Sequence, residues 1–146
     1  MSFFGSLDTS ASGLTAQQLR LDIISQNIAN ASTTRTEDGG PYKRKSVLFE
    51  QVQNDANSFS SILKKKKQSG NNGVRVSQIV EDETQGTLVY DPTNPDANEA
   101  GYVEMSNVNV IDEMVNMISA SRSYEANVNA FNSTKTMFTK ALEIGK

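Results

Sequence analysis

VIDEMVNMISASRSYEANVNAFNSTKTMFTKAL, running from Val110 to Leu142, is the stretch that decides the fold. Alternating steps of four and three pick out Val110, Met114, Met117, Ser121, Tyr124, Val128, Phe131, Lys135, Phe138 and Leu142, all apolar except Ser121 and Lys135. That spacing draws one narrow apolar seam along a helix. At ~1.5 Å per residue the stretch is about 50 Å long, too long for a small globular core to cover. Asn107 or Asn109 can cap its start, and Asp112 and Glu113 put negative charge at the positive end of its dipole. Lys140 and Gly145 suit the other end. The interior holds Asn116, Asn127, Asn129 and Asn132, poor helix formers, so packing of the seam has to stabilise it.

Near the other end of the chain, Leu7, Leu14, Leu21 and Ile28 fall seven residues apart, with Ala11 and Ile24 beside them. A second helix follows, with Ser6 or Asp8 as its cap and Asn27, Asn30 and Ser32 marking its end. Asn27 and Asn30 admit two roles: ending the helix in a left-handed conformation, or bonding through their amides to neighbouring subunits and fixing register. The expected fold is mainly α with a small β-rich insertion. Its long N- and C-terminal helices look made for each other, or for copies of themselves, with short strands and loops between them.

Between these helices the period changes to two, with Val47 and Phe49, Val74 and Val76, and Leu88 and Tyr90 on shared faces. Residues 54–72, polar and carrying Lys64 to Lys67, lack the apolar content to fold alone and read as a surface loop or disordered insertion. Pro92 and Pro95 forbid regular helix or central strand in the connector that holds them. The organisation expected is residues 1–35 as first helix and following signature, 36–106 as the β-rich or irregular middle with its flexible loop 54–72, and 107–146 as last helix.

Composition narrows the function. Histidine and cysteine are both absent from the 146 residues, which removes the usual neutral-pH base, the best nucleophile and the best zinc ligands together. Glu81, Asp82 and Glu83 adjoin no base or nucleophile and read as a solvated turn, and no Gly-Lys-Ser/Thr follows Gly70 and Gly73 to make a phosphate loop. The chain reads as no enzyme, with no cofactor. A net charge of −3 argues against capture of nucleic acid, and Lys64 to Lys67 lack interleaved aromatics. The apolar runs are too short for a membrane span, and the N-terminus lacks the basic and apolar regions of a cleaved signal. An apolar content of 36% is low for a self-sufficient core, which points to partners.

The residues themselves then identify a family. Ser12-Gly13-Leu14-Thr15-Ala16-Gln17, Arg20 to Ala31 and Thr33-Thr34-Arg35 resemble the N-terminal signature of bacterial flagellar rod and hook proteins. Tyr90-Asp91-Pro92, Asn94 to Ala97, Gly101-Tyr102-Val103, Asn107 to Val110 and Glu113 to Asn127 resemble the short proximal-rod subunits in particular. The likeness spans roughly the first 50 and last 70 residues, and residues 54–72 depart from it. Asn27, Asn30, Thr33, Thr34, Arg35, Tyr102, Asn107 and Arg122 carry the signature.

The resemblance implies a structural subunit of the basal body, in the periplasm or cell-wall space, whose long N- and C-terminal helices form an antiparallel coiled coil with the β-rich middle segment outside it. It would be exported through the flagellar type III apparatus without a cleaved signal and polymerised into a helical tube that transmits torque. Its partners would be copies of itself, homologous rod subunits, membrane-ring and rod-adapter proteins at the rod base, and the export apparatus. The assembly interface expected is Leu7, Leu14, Leu21, Ile24 and Ile28, with Val110, Met114, Met117, Tyr124, Val128, Phe131, Phe138 and Leu142. Phe3, Phe4 and Leu7, an apolar cluster at the N-terminus, are the expected export segment. The alternative of another class is a soluble coiled-coil adaptor or chaperone of the export system.

Overall fold

The computed structural model describes residues 3–37, 39–52 and 73–145, the side chains of Phe3 and Phe4 excepted. Two long helices enclose four short strands in the order α1 (Phe3–Ala29), β1 (Lys45–Gln51), β2 (Val74–Glu81), β3 (Leu88–Tyr90), β4 (Tyr102–Glu104) and α2 (Val110–Ile144). No helix among the described residues is long and apolar enough to cross a membrane. The Lys64 to Lys67 run and the rest of residues 54–72 lie outside the described residues.

The helix ends follow local chemistry, with two departures from the sequence reading. α1 starts at Phe3, so Ser6 and Asp8 lie inside it rather than capping it. Among the described residues no non-glycine residue has positive φ, so neither Asn27 nor Asn30 ends α1 in the left-handed conformation. Instead the Asn30 amide folds back, Nδ2 donating to the Gln26 carbonyl at 2.9 Å while Thr33 N–H donates to the Asn30 carbonyl at 3.0 Å. At α2 the cap is Asn109, whose Oδ1 accepts the Ile111 N–H at 3.0 Å. Asn107 is thereby freed for a different task.

The strands form two sheets of two, β1 with β2 and β3 with β4. In the first, Val52 N–H donates to the Gly73 carbonyl and Asp82 N–H to the Arg44 carbonyl, both at 2.8 Å, joining the end of each strand to the start of the other. The pair is antiparallel. In the second, also antiparallel, Leu88 faces Glu104, Val89 faces Val103 and Tyr90 faces Tyr102. The Tyr90 and Tyr102 rings meet edge to face with centroids 5.2 Å apart. Gly101, at φ +79, turns the chain into β4, and a Cβ there would press on the Tyr90 ring at 2.9 Å.

The chain divides into two compact units. One comprises Leu19–Leu48 and Gln78–Ala120, and its core is Ile23, Ile24, Val103 and Ala120, with Asn27, Ser106 and Glu113 buried among them. The other comprises Met1–Gln18, Phe49–Ser77 and Ser121–Lys146. Within it α1 meets α2 at Gly13, where a Cβ would stand 3.1 Å from Asn127 Oδ1. Glycine permits that approach. Beside it Ser12 Oγ accepts the Val74 N–H at 3.1 Å, fastening the start of β2 to α1.

Candidate functional site

The largest fully buried side chains of the described protein are Glu113 and Asn27, both polar. They meet in the first unit, where Asn27 Nδ2 donates to Glu113 Oε2 at 2.9 Å and to the Lys45 carbonyl at 2.8 Å. Asn27 Oδ1 in turn accepts the Tyr42 hydroxyl at 3.0 Å and the Lys45 N–H at 2.9 Å. Both donors and both lone pairs of the amide are used, so its orientation is set. The other Glu113 oxygen, Oε1, accepts Arg44 Nε at 2.9 Å, Arg44 Nη2 at 2.8 Å and Asn116 Nδ2 at 3.3 Å. A charge buried this deeply persists only when paired and bonded, and here it is both.

Asn107 extends the network to the strand ends. Its Oδ1 accepts the Arg44 N–H at 2.7 Å, while Nδ2 donates to the carbonyls of Asp82 at 2.9 Å and Thr84 at 3.0 Å. Asp82 Oδ1 accepts the Thr84 N–H at 3.0 Å. The Thr84 amide and hydroxyl, helped by nearby Arg44, hold the Asp82 carboxyl below its ordinary value. Burial, with Glu81 and Glu113 nearby, pushes the Tyr42 phenol upward. Further along the chain, Thr34 Oγ1 donates to Asp96 Oδ2 at 2.8 Å and Arg35 reaches Asp96 at 3.4 Å, tying the segment after α1 to the Pro92–Pro95 turn. The arrangement holds α1, β1, the end of β2 and α2 in one register.

Comparison with known proteins places this arrangement. Residues 7–35 match the family model "Flagella basal body rod protein", and residues 99–144 match "Flagellar basal body rod FlgEFG protein C-terminal". The "Flagellar basal-body rod protein FlgC" of Bacillus subtilis is 53% identical, covering all of both chains. Those of Borreliella burgdorferi and Escherichia coli O6:H1 are 47% and 40% identical, over 99% and 100% of this chain and 98% and 100% of theirs. The chain belongs to the FlgC family of flagellar basal-body rod proteins.

For this FlgC-family chain, the seam residues expected from sequence fall into three groups. Ile24 is buried; Leu7, Leu14, Leu21, Ile28, Met117, Tyr124, Val128 and Phe131 are half-buried; Val110, Met114, Phe138 and Leu142 are exposed. Inward on α2 in the first unit stand Glu113 and Ala120. Of the signature residues, Asn27 and Asn107 join the network, Thr34 and Arg35 hold Asp96, and Asn30 and Thr33 finish α1. Tyr102 lies half-exposed on β4 and Arg122 is exposed on α2. The Asn27 amide has both donors and both lone pairs taken up by its own chain. Of the export cluster, Leu7 is described, and the Phe3 and Phe4 side chains lie outside the described residues.

Sequence reasoning missed Glu113, Arg44 and Tyr42. An acid in the first turn of a helix reads as a dipole partner, and nothing local reveals a cation arriving from the segment just before β1. A signal did exist. Glu113, Ala120 and Asn127 recur every seven residues, a heptad of polar and small side chains beside the apolar one.

Proposed function

We propose that this chain is a structural, non-enzymatic subunit of the flagellar rod, exported through the flagellar type III apparatus and polymerised into a tube that transmits torque. The full-length match to FlgC proteins, 53% identical in one case, carries the reading. Those relatives are named rod proteins over their whole length, which does not favour the adaptor or chaperone.

In this reading α1 and α2 pair as an antiparallel coiled coil, residues 36–106 form the outer, β-rich part, and the seam residues from Leu7 to Ile28 and Val110 to Leu142 form the assembly interface. Two contacts, each within its own unit, support the antiparallel sense. Gly13 faces Asn127 and Asn27 bonds Glu113, so an advance from 13 to 27 on α1 goes with a retreat from 127 to 113 on α2. Exposed Val110, Met114 and Leu142 support an interface, because soluble monomers rarely expose many large apolar groups along one helix. The partners are copies of this chain and homologous rod subunits, with membrane-ring and rod-adapter proteins at the base. Phe3, Phe4 and Leu7 serve export.

The test is replacement. Expressed in Bacillus subtilis lacking its own FlgC, the chain restores rod assembly and swimming; its absence from purified basal bodies at normal cellular level refutes the proposal. Phe3→Ser with Leu7→Ser lowers its amount in the supernatant of a strain that cannot build rods, whereas truncation after Ser123 leaves secretion intact and abolishes incorporation.

A further inference from the structure

β2 is one residue longer than the strand it pairs with, eight residues against seven. Fraying at an end does not account for the difference, because both ends of the pair are bonded. At one end Asp82 N–H donates to the Arg44 carbonyl, and at the other Val52 N–H donates to the Gly73 carbonyl. From Arg44 to Val52 is eight steps along the chain, and from Gly73 to Asp82 is nine. The bonds of an antiparallel ladder join residues directly opposite each other, so a regular ladder cannot close at both ends. β2 holds one extra residue.

Cross-strand pairs locate it. In the first unit the register set by Arg44 and Asp82 continues through Lys45, whose Nζ reaches Glu81 at 3.3 Å, and Ser46, whose Oγ donates to the Val80 carbonyl at 3.5 Å. It carries on to Val47 opposite Ile79 and Leu48 opposite Gln78. In the other unit the register set by Val52 and Gly73 continues through Glu50, which accepts Arg75 Nη2 at 3.1 Å, to Phe49 opposite Val76. Ser77 is the residue in excess, which makes a β-bulge. Both Ser77 and Gln78 are exposed. Each register is tied down within its own unit. Asn27 Oδ1 accepts the Lys45 N–H and Asn107 donates to the Asp82 carbonyl in the first, and Ser12 accepts the Val74 N–H in the other. Were the second register kept throughout, Ile79 would face Ser46 and Val80 would face Lys45. The extra residue gives Ile79 an apolar partner and Lys45 an acidic one.

We propose that Ser77 is slack built into the β1–β2 ribbon, letting it twist at that residue without breaking a bond of either ladder, and that the subunit uses this freedom in taking its place in the rod. In a regular ribbon a twist is shared by every bond along it, whereas a bulge concentrates bend and twist at one residue. The bulge lies where β1 passes from one unit to the other, at Leu48 and Phe49, and where β2 does so, at Ser77 and Gln78. The use of the slack rests on the rod reading; the bulge itself does not.

Deleting Ser77 tests both parts. Loss of one residue from the middle of a strand ordinarily turns every later side chain to the opposite face. Here it leaves each pair intact, because Gln78 already stands opposite Leu48, and Val76 and Ile79 keep their partners. Deleting Glu50 from β1 is the contrast, since it raises the mismatch from one residue to two. The urea midpoint of the full chain without Ser77 stays at or above that of the unaltered chain, and the midpoint without Glu50 falls. Amides of residues 47–49 and 76–79 exchange about tenfold more slowly once Ser77 is gone. In Bacillus subtilis lacking its own FlgC, the same deletion lowers incorporation into basal bodies about threefold or more, a loss of function without loss of stability. A midpoint that falls as far without Ser77 as without Glu50, or exchange that is unchanged, overturns the bulge. Slowed exchange with full incorporation and normal swimming overturns the use of the slack while leaving the rod reading intact. Absence of the unaltered chain from basal bodies overturns the rod reading and the use of the slack with it, and the exchange rates still decide the bulge.

Discussion

Glu113→Gln keeps the size and shape of the buried side chain and removes its charge, which makes it a sharp probe of the network. The carboxylate accepts from Arg44 on Oε1 and from Asn27 on Oε2. A glutamine has one acceptor oxygen, so if that oxygen takes Arg44, its NH2 confronts the Asn27 NH2, donor against donor. Turning Asn27 over does not relieve this. Its Oδ1 is held by Tyr42 and the Lys45 N–H, and the flip sets those donors against an NH2. Breaking a fully buried ion pair costs about 3–5 kcal/mol. The Arg44 side chain is 31% exposed and recovers some hydration, so the lower end, about 2–3 kcal/mol, is expected. For a chain of this size that corresponds to a fall in Tm on the order of 5–10 °C. Urea unfolding followed by circular dichroism reads the change directly, and a cycle with Arg44→Met isolates the pair, with a coupling of about 1–2 kcal/mol. A loss below about 0.5 kcal/mol, or additive single changes, would refute the account of Glu113 as the bonded centre of the network.

Three further outcomes follow from the same geometry. The raised Tyr42 phenol favours the folded state below the ordinary tyrosine value of 10.0, and that contribution is lost as pH rises through the higher folded value. Ultraviolet titration should show a late-ionising tyrosine that disappears in Tyr42→Phe; identical curves would count against it. The lowered Asp82 carboxyl contributes stability above its ordinary 3.8 that is lost as pH falls through the lower folded value. Asp82→Asn should therefore flatten the acid limb of stability against pH, and an unchanged limb in thermal melts would contradict this. Gly13→Val sets a branched side chain against Asn127, where even a Cβ stands at 3.1 Å. A destabilisation of about 1–3 kcal/mol is expected, and unaltered urea unfolding would show that the helices do not approach closely there.

Much of the fold was legible because helices declare themselves locally. The spacing from Val110 to Leu142 and from Leu7 to Ile28 depends only on residues a few places apart, and both helices stand where it puts them. β1, β2 and β3 likewise follow from alternation, and the signature from Ser12 to Arg35 was enough to point to the rod and hook proteins. Inward and outward faces were harder to read, because apolar spacing describes a surface without saying whether its own chain or a partner covers it. Val110 and Met114 are apolar and exposed, while Glu113 between them is polar and buried.

What the sequence determined by itself, then, was the inventory: two long helices, a β-rich middle, no histidine or cysteine for chemistry, and membership of a family of rod builders. Only the tertiary structure decided that Asn27, Tyr42, Arg44, Asn107 and Glu113 converge, since they come from segments far apart in the chain. Each hydrogen bond there depends on the final placement of two elements, to within the few tenths of an ångström that separate a bond from a gap. A repeating apolar pattern needs no such precision, which is why the helices were legible from spacing and their polar lock was not.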